Sequence, residues 1–279
     1  MSFRRLSLWG IEGIPEVEAG NDLVATMGRA IDLTAEADPD TRPQDGDIFV
    51  VTSKIVSKAE GRQVPFAERE RAIAEETVRV VAERVHAGGI TQIVETRQGL
   101  ILAAAGIDTS NVPEGVALRL PEDPDRSARQ LCAGLRARYG VAVGVIITDT
   151  LGRPWRVGQT DAAIGAAGLQ LVDDLRGGVD SNGRPLNVTI TVLADELAGA
   201  ADLVKGKASG IPVAVARGLG RLVTDLDAPG AHTLIRPVEE DMFRFGSAEA
   251  YRLGYEAGRL DAGVGAPRQT ETIAEREHS

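Results

Sequence analysis

Two aspartates in the sequence follow apolar segments, at positions where a metal ion could bind. Asp149 and Thr150 come directly after the apolar run 141–148, which predicts a buried strand. Asp108 lies in a second polar loop, 106–111, after another apolar segment. Carboxylate and hydroxyl oxygens on a rigid support suit Mg²⁺ or Mn²⁺. An aspartate after a strand can also simply cap a turn, so the residues alone leave both interpretations open.

Basic side chains near these loops could bind an anionic substrate. Lys54 and Lys58 are four residues apart, so they would share one face of a helix and could hold the phosphates of a nucleotide. Arg153 and Arg156 follow the predicted strand end, and guanidinium groups suit carboxylates and phosphodiesters. The loop 205–210 adds further lysines and glycines. An exposed basic helix face would show the same pattern.

Three familiar motifs are incomplete in this chain. Gly218-Leu219-Gly220 follows an apolar run, as in dinucleotide-binding proteins, but Val223 stands in place of the third glycine. The segment Gly206-Lys207-Ala208-Ser209 lacks the first glycine of a phosphate-binding P-loop and has alanine in place of its magnesium-binding hydroxyl. The histidines show no spacing typical of metal ligands, so zinc is not expected.

Apolar runs and turn residues predict the elements that position these loops. The predicted strands cover 3–9, 48–51, 92–96, 99–104, 116–120, 141–148 and 211–216. The predicted helices cover 22–36, 66–85, 123–139, 188–204 and 238–245. The amphipathic pattern is clearest in 66–85, whereas residues 162–172 fit a strand or a helix. Residues 261–279 are polar and aperiodic, which predicts a disordered tail.

Charge and composition restrict the class of function. The 279 residues carry 31 basic and 41 acidic side chains, a net charge of −10, so general binding to nucleic acid or to a membrane is not expected. The one cysteine, Cys132, cannot form an intrachain disulfide, and no apolar run is long enough for a signal peptide or a membrane span. We therefore expect a cytoplasmic protein with one large domain or two coupled ones.

Four segments of the sequence resemble the coenzyme F420-0:L-glutamate ligase family. They are Gly13-Ile14-Pro15-Glu16-Val17, the stretch 45–61, Ala105-Gly106-Ile107-Asp108-Thr109-Ser110-Asn111-Val112, and Thr148-Asp149-Thr150 with Gly152-Arg153-Pro154-Trp155-Arg156. The resemblance extends from about residue 3 to about residue 247. It implies an α+β fold of mixed sheets with flanking helices, a ligase domain over residues 1–260, and an intertwined homodimer.

The resemblance also implies an activity and its cofactors. The expected reaction is GTP-dependent addition of L-glutamate to coenzyme F420-0, and then to F420-1, through an acyl phosphate. Mn²⁺ or Mg²⁺ is the expected metal, and K⁺ is expected to assist.

Individual roles follow from the family's motifs, residue by residue. Asp108 and Asp149 are the implied catalytic residues and, with Thr150, the implied metal ligands. Arg153 and Arg156 are the candidates for binding the anionic acceptor. The implied nucleotide-binding residues are Ile14, Pro15, Glu16, Val17, Ser53, Lys54, Lys58, Asn111, Gly206 and Lys207. Lys207 stands where some relatives are expected to offer a side chain to a second metal.

Two other functions remain as alternatives at this point. A nicotinamide-dependent oxidoreductase would rest on Gly218 and Gly220 alone. A non-catalytic module that binds GTP and a metal would use the same loops as the ligase, and it would differ in releasing no GDP when F420-0 and glutamate are present.

Overall fold

The structure, a computed structural model, describes residues 5–87 and 89–262. The α-helices among these residues are α1 (Leu23–Ala37), α2 (Ser53–Ala59), α3 (Arg69–Glu76), α4 (Pro124–Tyr139), α5 (Leu193–Lys205) and α6 (Ser247–Ala262). The first six strands are β1 (Ser7–Gly10), β2 (Ile48–Thr52), β3 (Gln63–Pro65), β4 (Thr77–His86), β5 (Gly89–Thr96) and β6 (Ile101–Ala103). The other six are β7 (Val116–Leu118), β8 (Gly144–Gly152), β9 (Gln159–Ala167), β10 (Val172–Asp174), β11 (Ile190–Val192) and β12 (Val213–Arg217).

The predicted α+β class with mixed sheets is confirmed. The central sheet has the strand order β1-β12-β2-β8-β9. Only β2 and β8 are parallel among the strand pairs of the described residues, and the other pairs are antiparallel. Three smaller sheets accompany the central one: β4-β5-β6, β3-β7 and β10-β11. Within the described residues, no helix has both the length and the apolar character needed to cross a membrane.

The central sheet separates two hydrophobic cores. Phe49 and Val51 of β2 pack with α1 and α4 on one face, whereas Ile48 and Val50 pack with α5 on the other. All four side chains are fully buried, at 0% exposure. Burial on both faces explains why this segment reads as one continuous apolar run.

Aspartate caps begin two of the helices, as the sequence predicts. The Asp22 carboxylate accepts a hydrogen bond from the backbone N–H of Ala25 at the start of α1. Asp123 does the same for Arg126 at the start of α4, where proline occupies the first turn. Each cap satisfies a backbone donor that the helix itself leaves without a partner.

The helix predicted over 66–85 is wrong in its second half. Helix α3 ends at Glu76, and the chain continues as the ten-residue strand β4, paired with β5. β-Branched residues such as Val78, Val80 and Val85 lose rotamer freedom in a helix and fit a strand well. Pairing with β5 therefore outweighs the helical periodicity, and Val85, which the helical pattern would place on an apolar face, is 75% exposed.

Several smaller boundaries also differ from the prediction. The stretch 188–204 divides into β11 and α5, and the helix predicted over 238–245 is a three-residue 3₁₀ turn, Val238–Glu240. Helix α6 is absent from the prediction and contains residues 261 and 262 of the predicted tail. The rest of that tail lies outside the described residues.

Core packing generates a direct stability prediction. Leu135 of α4 has no exposed surface, whereas Leu33 of α1 is 61% exposed. We expect Leu135→Ala to lower the free energy of unfolding by about 2–5 kcal/mol, because it removes buried methyl groups and leaves a cavity. The control Leu33→Ala should change it by only about 0.5 kcal/mol. Urea unfolding measures both, and equal losses would contradict the assignment of this core.

Candidate active site

A cavity of about 640 Å³ opens where strand β2 ends. Its walls come from the segments 14–17, 52–58, 111–113 and 202–212, together with Thr150 of β8 and Asp161 of β9. The structure thus brings together ten residues predicted from sequence: Ile14, Pro15, Glu16, Val17, Lys54, Lys58, Asn111, Thr150, Gly206 and Lys207.

Every lysine of the chain lines this cavity. Lys54, Lys58, Lys205 and Lys207 are the four lysines of the sequence, and all four contribute to its wall. Every other basic residue among the 31 is an arginine, and none of the arginines that the structure describes lines the cavity. An ammonium group is a compact charge with three donors on a flexible stem, which suits a phosphate oxygen. The cavity is thus a local basic site within an acidic chain.

The parallel pair β2 and β8 creates the edge on which the polar residues stand. Thr52 lies opposite Thr148 in the register, so α2 begins at Ser53 beside the continuing end of β8. The Ser53 hydroxyl donates a hydrogen bond of 2.9 Å to Asp149 Oδ1. Because successive strand residues alternate between faces, Asp149 faces α2, whereas Thr148 and Thr150 face α5.

Asp149 is a buried carboxylate with few partners. Burial raises its pKa to about 6, and the charges of Asp161 and Asp108 contribute in the same direction. The Ser53 hydrogen bond and the charge of Lys54 oppose the increase. Among the described residues, Ser53 supplies the one hydrogen bond to this carboxylate. Few groups therefore stabilise the negative charge of ionised Asp149, and a nearby cation would stabilise it further.

Asp108 is held by Lys54 and by its own loop. Lys54 Nζ lies 2.5 Å from Asp108 Oδ2, and Ser110 donates to the carboxylate through its backbone N–H and its hydroxyl, each at 2.8 Å. Burial disfavours the charge, but these hydrogen bonds outweigh it and the pKa of Asp108 is lowered. Asp108, Asp149 and Ser53 do not line the cavity themselves, but Lys54, which lines it, pairs with Asp108.

The loop that carries Asp108 is conformationally strained. Ala104, Ala105 and Asn111 have φ values of 50°, 52° and 56°, in the left-handed region that side chains rarely adopt. An alanine there costs about 1–2 kcal/mol, whereas asparagine adopts this region more readily. Asn111 Nδ2 also donates to the carbonyl oxygen of Lys207 at 3.2 Å. This loop therefore meets the 206–210 loop beside the cavity, and strain of this kind is typical of functional sites.

Lys58 is nearly inaccessible and is paired within the site. It is 5% exposed, and its Nζ lies 2.5 Å from Glu16 Oε1. The Glu16 side chain is 69% exposed, so it can turn away into solvent when another anion approaches. The buried ammonium thus has a partner that another anion could replace.

Asp161 is a site residue that sequence reasoning missed. It is 5% exposed, and its Oδ2 accepts from Thr148 Oγ1 at 2.9 Å and pairs with Lys205 Nζ at 2.9 Å. Its Oδ1 accepts from Thr150 Oγ1 at 2.7 Å. Burial opposes its charge, but Lys205 and the two hydroxyls outweigh burial and lower the pKa of Asp161. The sequence gives one signal for Asp161, because it directly precedes the apolar run 162–167. That run belongs to β9, which pairs with β8.

The predicted substrate arginines lie apart from the cavity wall. Arg153 and Arg156 are exposed in the turn between β8 and β9. Trp155 of this turn is 81% exposed and contacts Phe243 edge to face, with the ring centroids 5.0 Å apart. The structure therefore places the two guanidinium groups on the outer part of the β8–β9 hairpin, and their role stays a prediction.

A metal ion would find only part of its ligands in this chain. In the part of the chain that the structure describes, no three His, Cys, Asp or Glu side chains cluster closely enough to hold one. Asp108 and Asp149 offer two neighbouring carboxylates on the α2 side of β8, and the Thr150 hydroxyl lies on the α5 side, where Lys207 Nζ donates a hydrogen bond to it. Such an incomplete set suits Mg²⁺ or Mn²⁺, which usually take further ligands from water and from substrate phosphates.

The Gly218-Leu219-Gly220 segment does not form a dinucleotide site. After β12 the chain enters a three-residue 3₁₀ turn, Gly220–Leu222, where a dinucleotide-binding fold requires the N-terminus of an α-helix. The structural basis for a nicotinamide-dependent oxidoreductase is therefore absent at this segment.

Comparison with known proteins identifies the family of the chain. Residues 12–218 match the family model described as F420-0:Gamma-glutamyl ligase. A protein of Methanopyrus kandleri named coenzyme F420:L-glutamate ligase is 39% identical over 254 residues, which cover 84% of this chain and 97% of the relative. Proteins of the same name from Methanothermobacter thermautotrophicus and Halorubrum lacusprofundi are 39% and 36% identical, each over 86% of this chain and over 99% and 96% of the relative.

These matches define the class of enzyme to which the chain belongs. The chain is an enzyme of the amide-bond-forming ligase class. Within that class, it belongs to the F420-0:gamma-glutamyl ligase family. The resemblance seen in the sequence is thereby confirmed.

The buried ion pair generates a stability prediction with a matched control. Lys205→Met keeps the side-chain length but leaves Asp161 buried without its counter-charge, so we expect a loss of about 3–5 kcal/mol in the free energy of unfolding. Lys207→Met, in the exposed loop two residues away, should change it by about 0.5 kcal/mol or less. Urea unfolding at neutral pH separates the two. Similar values for both variants would show that Lys205 is not a structural charge.

Proposed function

We propose that the chain catalyses GTP-dependent ligation of L-glutamate to coenzyme F420-0, and then to F420-1, through an acyl phosphate. The names of the relatives support glutamate and coenzyme F420 as substrates. The observation that carries the nucleotide assignment is the convergence of all four lysines on one cavity at the edge where Asp108 and Asp149 stand. A phosphorylated co-substrate with several negative charges fits that combination.

The reaction needs the acceptor carboxylate to be activated, because an amine does not displace hydroxide from a carboxylate. A carboxylate oxygen of F420-0 attacks the γ-phosphorus of GTP, and the bond to GDP breaks. The amine of glutamate then attacks the acyl carbon, the bond to phosphate breaks, and the amine gives up a proton to leave an amide. The chain's contribution is to hold the phosphates on Lys54, Lys58 and Lys207, with Lys205 fixed behind them on Asp161, and to exclude water.

The residues of the site fit a divalent cation. Asp149 is buried with a single hydrogen bond from the described residues, and Asp108 is ionised beside it. Asp108 and Asp149 on one face of β8, and Thr150 on the other, would hold Mn²⁺ or Mg²⁺. Bound there, the metal would neutralise charge that develops on the transferred phosphoryl group and on GDP. K⁺ as an assisting ion rests on the family resemblance alone.

The acceptor is proposed to bind toward the β8–β9 hairpin. Arg153 and Arg156 are exposed there, on the continuation of the strands that carry Thr150 and Asp161. Their guanidinium groups suit the anionic groups of F420-0. This placement would leave the lysine-lined cavity to the nucleotide.

Mass spectrometry of the products tests the proposed function. F420-0 is incubated with protein, Mn²⁺, L-glutamate and GTP, with ATP in place of GTP as a control. We expect F420 carrying one and then two glutamyl residues, with release of GDP and phosphate. GTP binding without GDP release would identify a non-catalytic module instead and would overturn the proposal.

Loss of the Asp149 charge should stop the reaction without unfolding the chain. Asp149→Asn keeps the side-chain volume and removes one charge of the proposed cation site, so we expect ligation to fall by more than about 100-fold, the scale of a lost electrostatic contact to a transition state. The exposed Asp227→Asn is the control and should leave turnover unchanged. Wild-type turnover by Asp149→Asn at low and saturating Mn²⁺ would show that Asp149 has no catalytic role.

The lysines allow nucleotide binding to be followed without activity. We expect GTP with Mn²⁺ to protect Lys54 and Lys207 from an amine-acetylating reagent several-fold, because bound phosphates would cover them. Lys58 and Lys205, at 5% and 3% exposure, should react slowly with or without nucleotide. Peptide mass spectrometry measures each site, and NAD⁺ replaces GTP in the control. Equal labelling with GTP and with NAD⁺ would place the nucleotide elsewhere.

The active form is proposed to be a homodimer. Large apolar side chains are exposed on the β4–β5 hairpin and near α6: Val78, Val85, Ile90, Trp155, Met242, Phe243 and Tyr251. A second copy could cover such side chains and the neighbouring sheet edges. We expect light scattering to give twice the 29.4 kDa chain mass throughout the range of enzyme assays. Full turnover at the mass of one chain would refute the dimer.

A further inference from the structure

The hydroxyl of Thr150 has only one way to hydrogen-bond in this structure. An ionised carboxylate has no proton to give, so the 2.7 Å contact between Thr150 Oγ1 and Asp161 Oδ1 requires Thr150 to be the donor. A hydroxyl has one proton and two lone pairs. With its proton committed to Asp161, Thr150 can only accept or coordinate on its remaining side, and Lys207 Nζ is the donor that it meets there.

Asp161 is held firmly enough to impose this orientation. Its other oxygen accepts from Thr148 Oγ1 and pairs with Lys205 Nζ, both at 2.9 Å, and the group is 5% exposed. Asp161 also lies directly opposite Thr150 in the register of β8 and β9. The backbone ladder thus fixes the spacing of the two residues, and the ion pair fixes the carboxylate.

The Asp161 carboxylate also connects Thr150 to the loop that follows α5. Lys205 is the last residue of α5, and Gly206 follows with φ +61°, a conformation that favours glycine. The loop that begins there carries Lys207 to the Thr150 hydroxyl. Asp161 therefore contacts both Thr150 and Lys205. Thr150 is the acceptor for the Lys207 ammonium group, and Lys205 is the residue from which the loop carrying Lys207 begins.

We propose that Asp161 is a positioning residue, which presents the Thr150 hydroxyl to the cavity as an obligatory acceptor for a cation. The inference deepens the proposed function and rests on it, since the cation would be the divalent ion that accompanies GTP. Asp161 does not touch that ion. Its effect passes through Thr150, in the way that hydrogen-bonded partners orient the ligands of metals.

A purely structural ion pair makes a different prediction. If Asp161 only neutralises Lys205, Asp161→Asn destabilises the fold but leaves the cation affinity of folded protein unchanged. If Asp161 acts through Thr150, the affinity falls, and the loss depends on the presence of the Thr150 hydroxyl. A double-mutant cycle separates these two cases.

The experiment measures Mn²⁺ affinity by the electron paramagnetic resonance signal of free Mn²⁺, with a non-hydrolysable GTP analogue present. The proteins are wild type, Thr150→Ser, Thr150→Val, Asp161→Asn and the double variant Asp161→Asn/Thr150→Val. We expect Asp161→Asn and Thr150→Val each to weaken Mn²⁺ binding about 10- to 100-fold. The double variant should bind no more weakly than Thr150→Val, and Thr150→Ser, which keeps the hydroxyl, should resemble wild type.

Asp161→Leu/Lys205→Met keeps the inference falsifiable if Asp161→Asn does not fold, because it removes both buried charges at once and leaves no oxygen that could accept from Thr150. We expect it to bind Mn²⁺ as weakly as Thr150→Val does. Wild-type affinity in any folded Asp161 variant, or losses that multiply in the double variant Asp161→Asn/Thr150→Val, would overturn the inference. Wild-type protein that binds no Mn²⁺ would overturn the proposed cation site and this inference together.

Discussion

The parallel pairing of β2 with β8 is the constraint on which the rest of the site depends. These strands are almost a hundred residues apart in the chain, and their register sets Thr52 opposite Thr148. Because both strands end at the same edge, the start of α2 meets the end of β8. Strand alternation then divides the polar residues between two faces, with Asp149 beside Ser53 and the two threonines beside Asp161 and Lys205. A register shift of one residue would exchange the faces and separate these pairs.

Pairing of the lysines with carboxylates is a second feature on which the site depends. The chain carries a net charge of −10, yet its four lysines meet at one cavity. Lys54, Lys58 and Lys205 form ion pairs with Asp108, Glu16 and Asp161, respectively. Exposed partners such as Glu16 can yield to a phosphate, whereas the buried Asp161 keeps Lys205 in place. The cavity therefore combines exchangeable charges for binding with a fixed pair for support.

Local sequence patterns predicted the loops of the site but not their arrangement. Asp149, Thr150 and the lysines were found because each follows an apolar run or lies near a glycine-rich turn. The parallel register and the pairing of Asp161 with Thr150 depend on contacts between distant segments, which no local pattern encodes. The same limit explains the error in 66–85, where pairing with β5 outweighed a helical pattern rich in valine. One overlooked signal was compositional, since the chain has only four lysines and all of them line the cavity.

The position of a bound divalent cation tests directly whether Asp108 and Asp149 form the metal site. Anomalous X-ray diffraction from crystals grown with Mn²⁺ and a non-hydrolysable GTP analogue locates the metal independently of turnover. We expect a manganese peak within coordination distance of the Asp108 and Asp149 carboxylates, with the analogue's phosphates among the four lysines. A manganese peak away from both carboxylates, or phosphates bound outside the lysine-lined cavity, would contradict it.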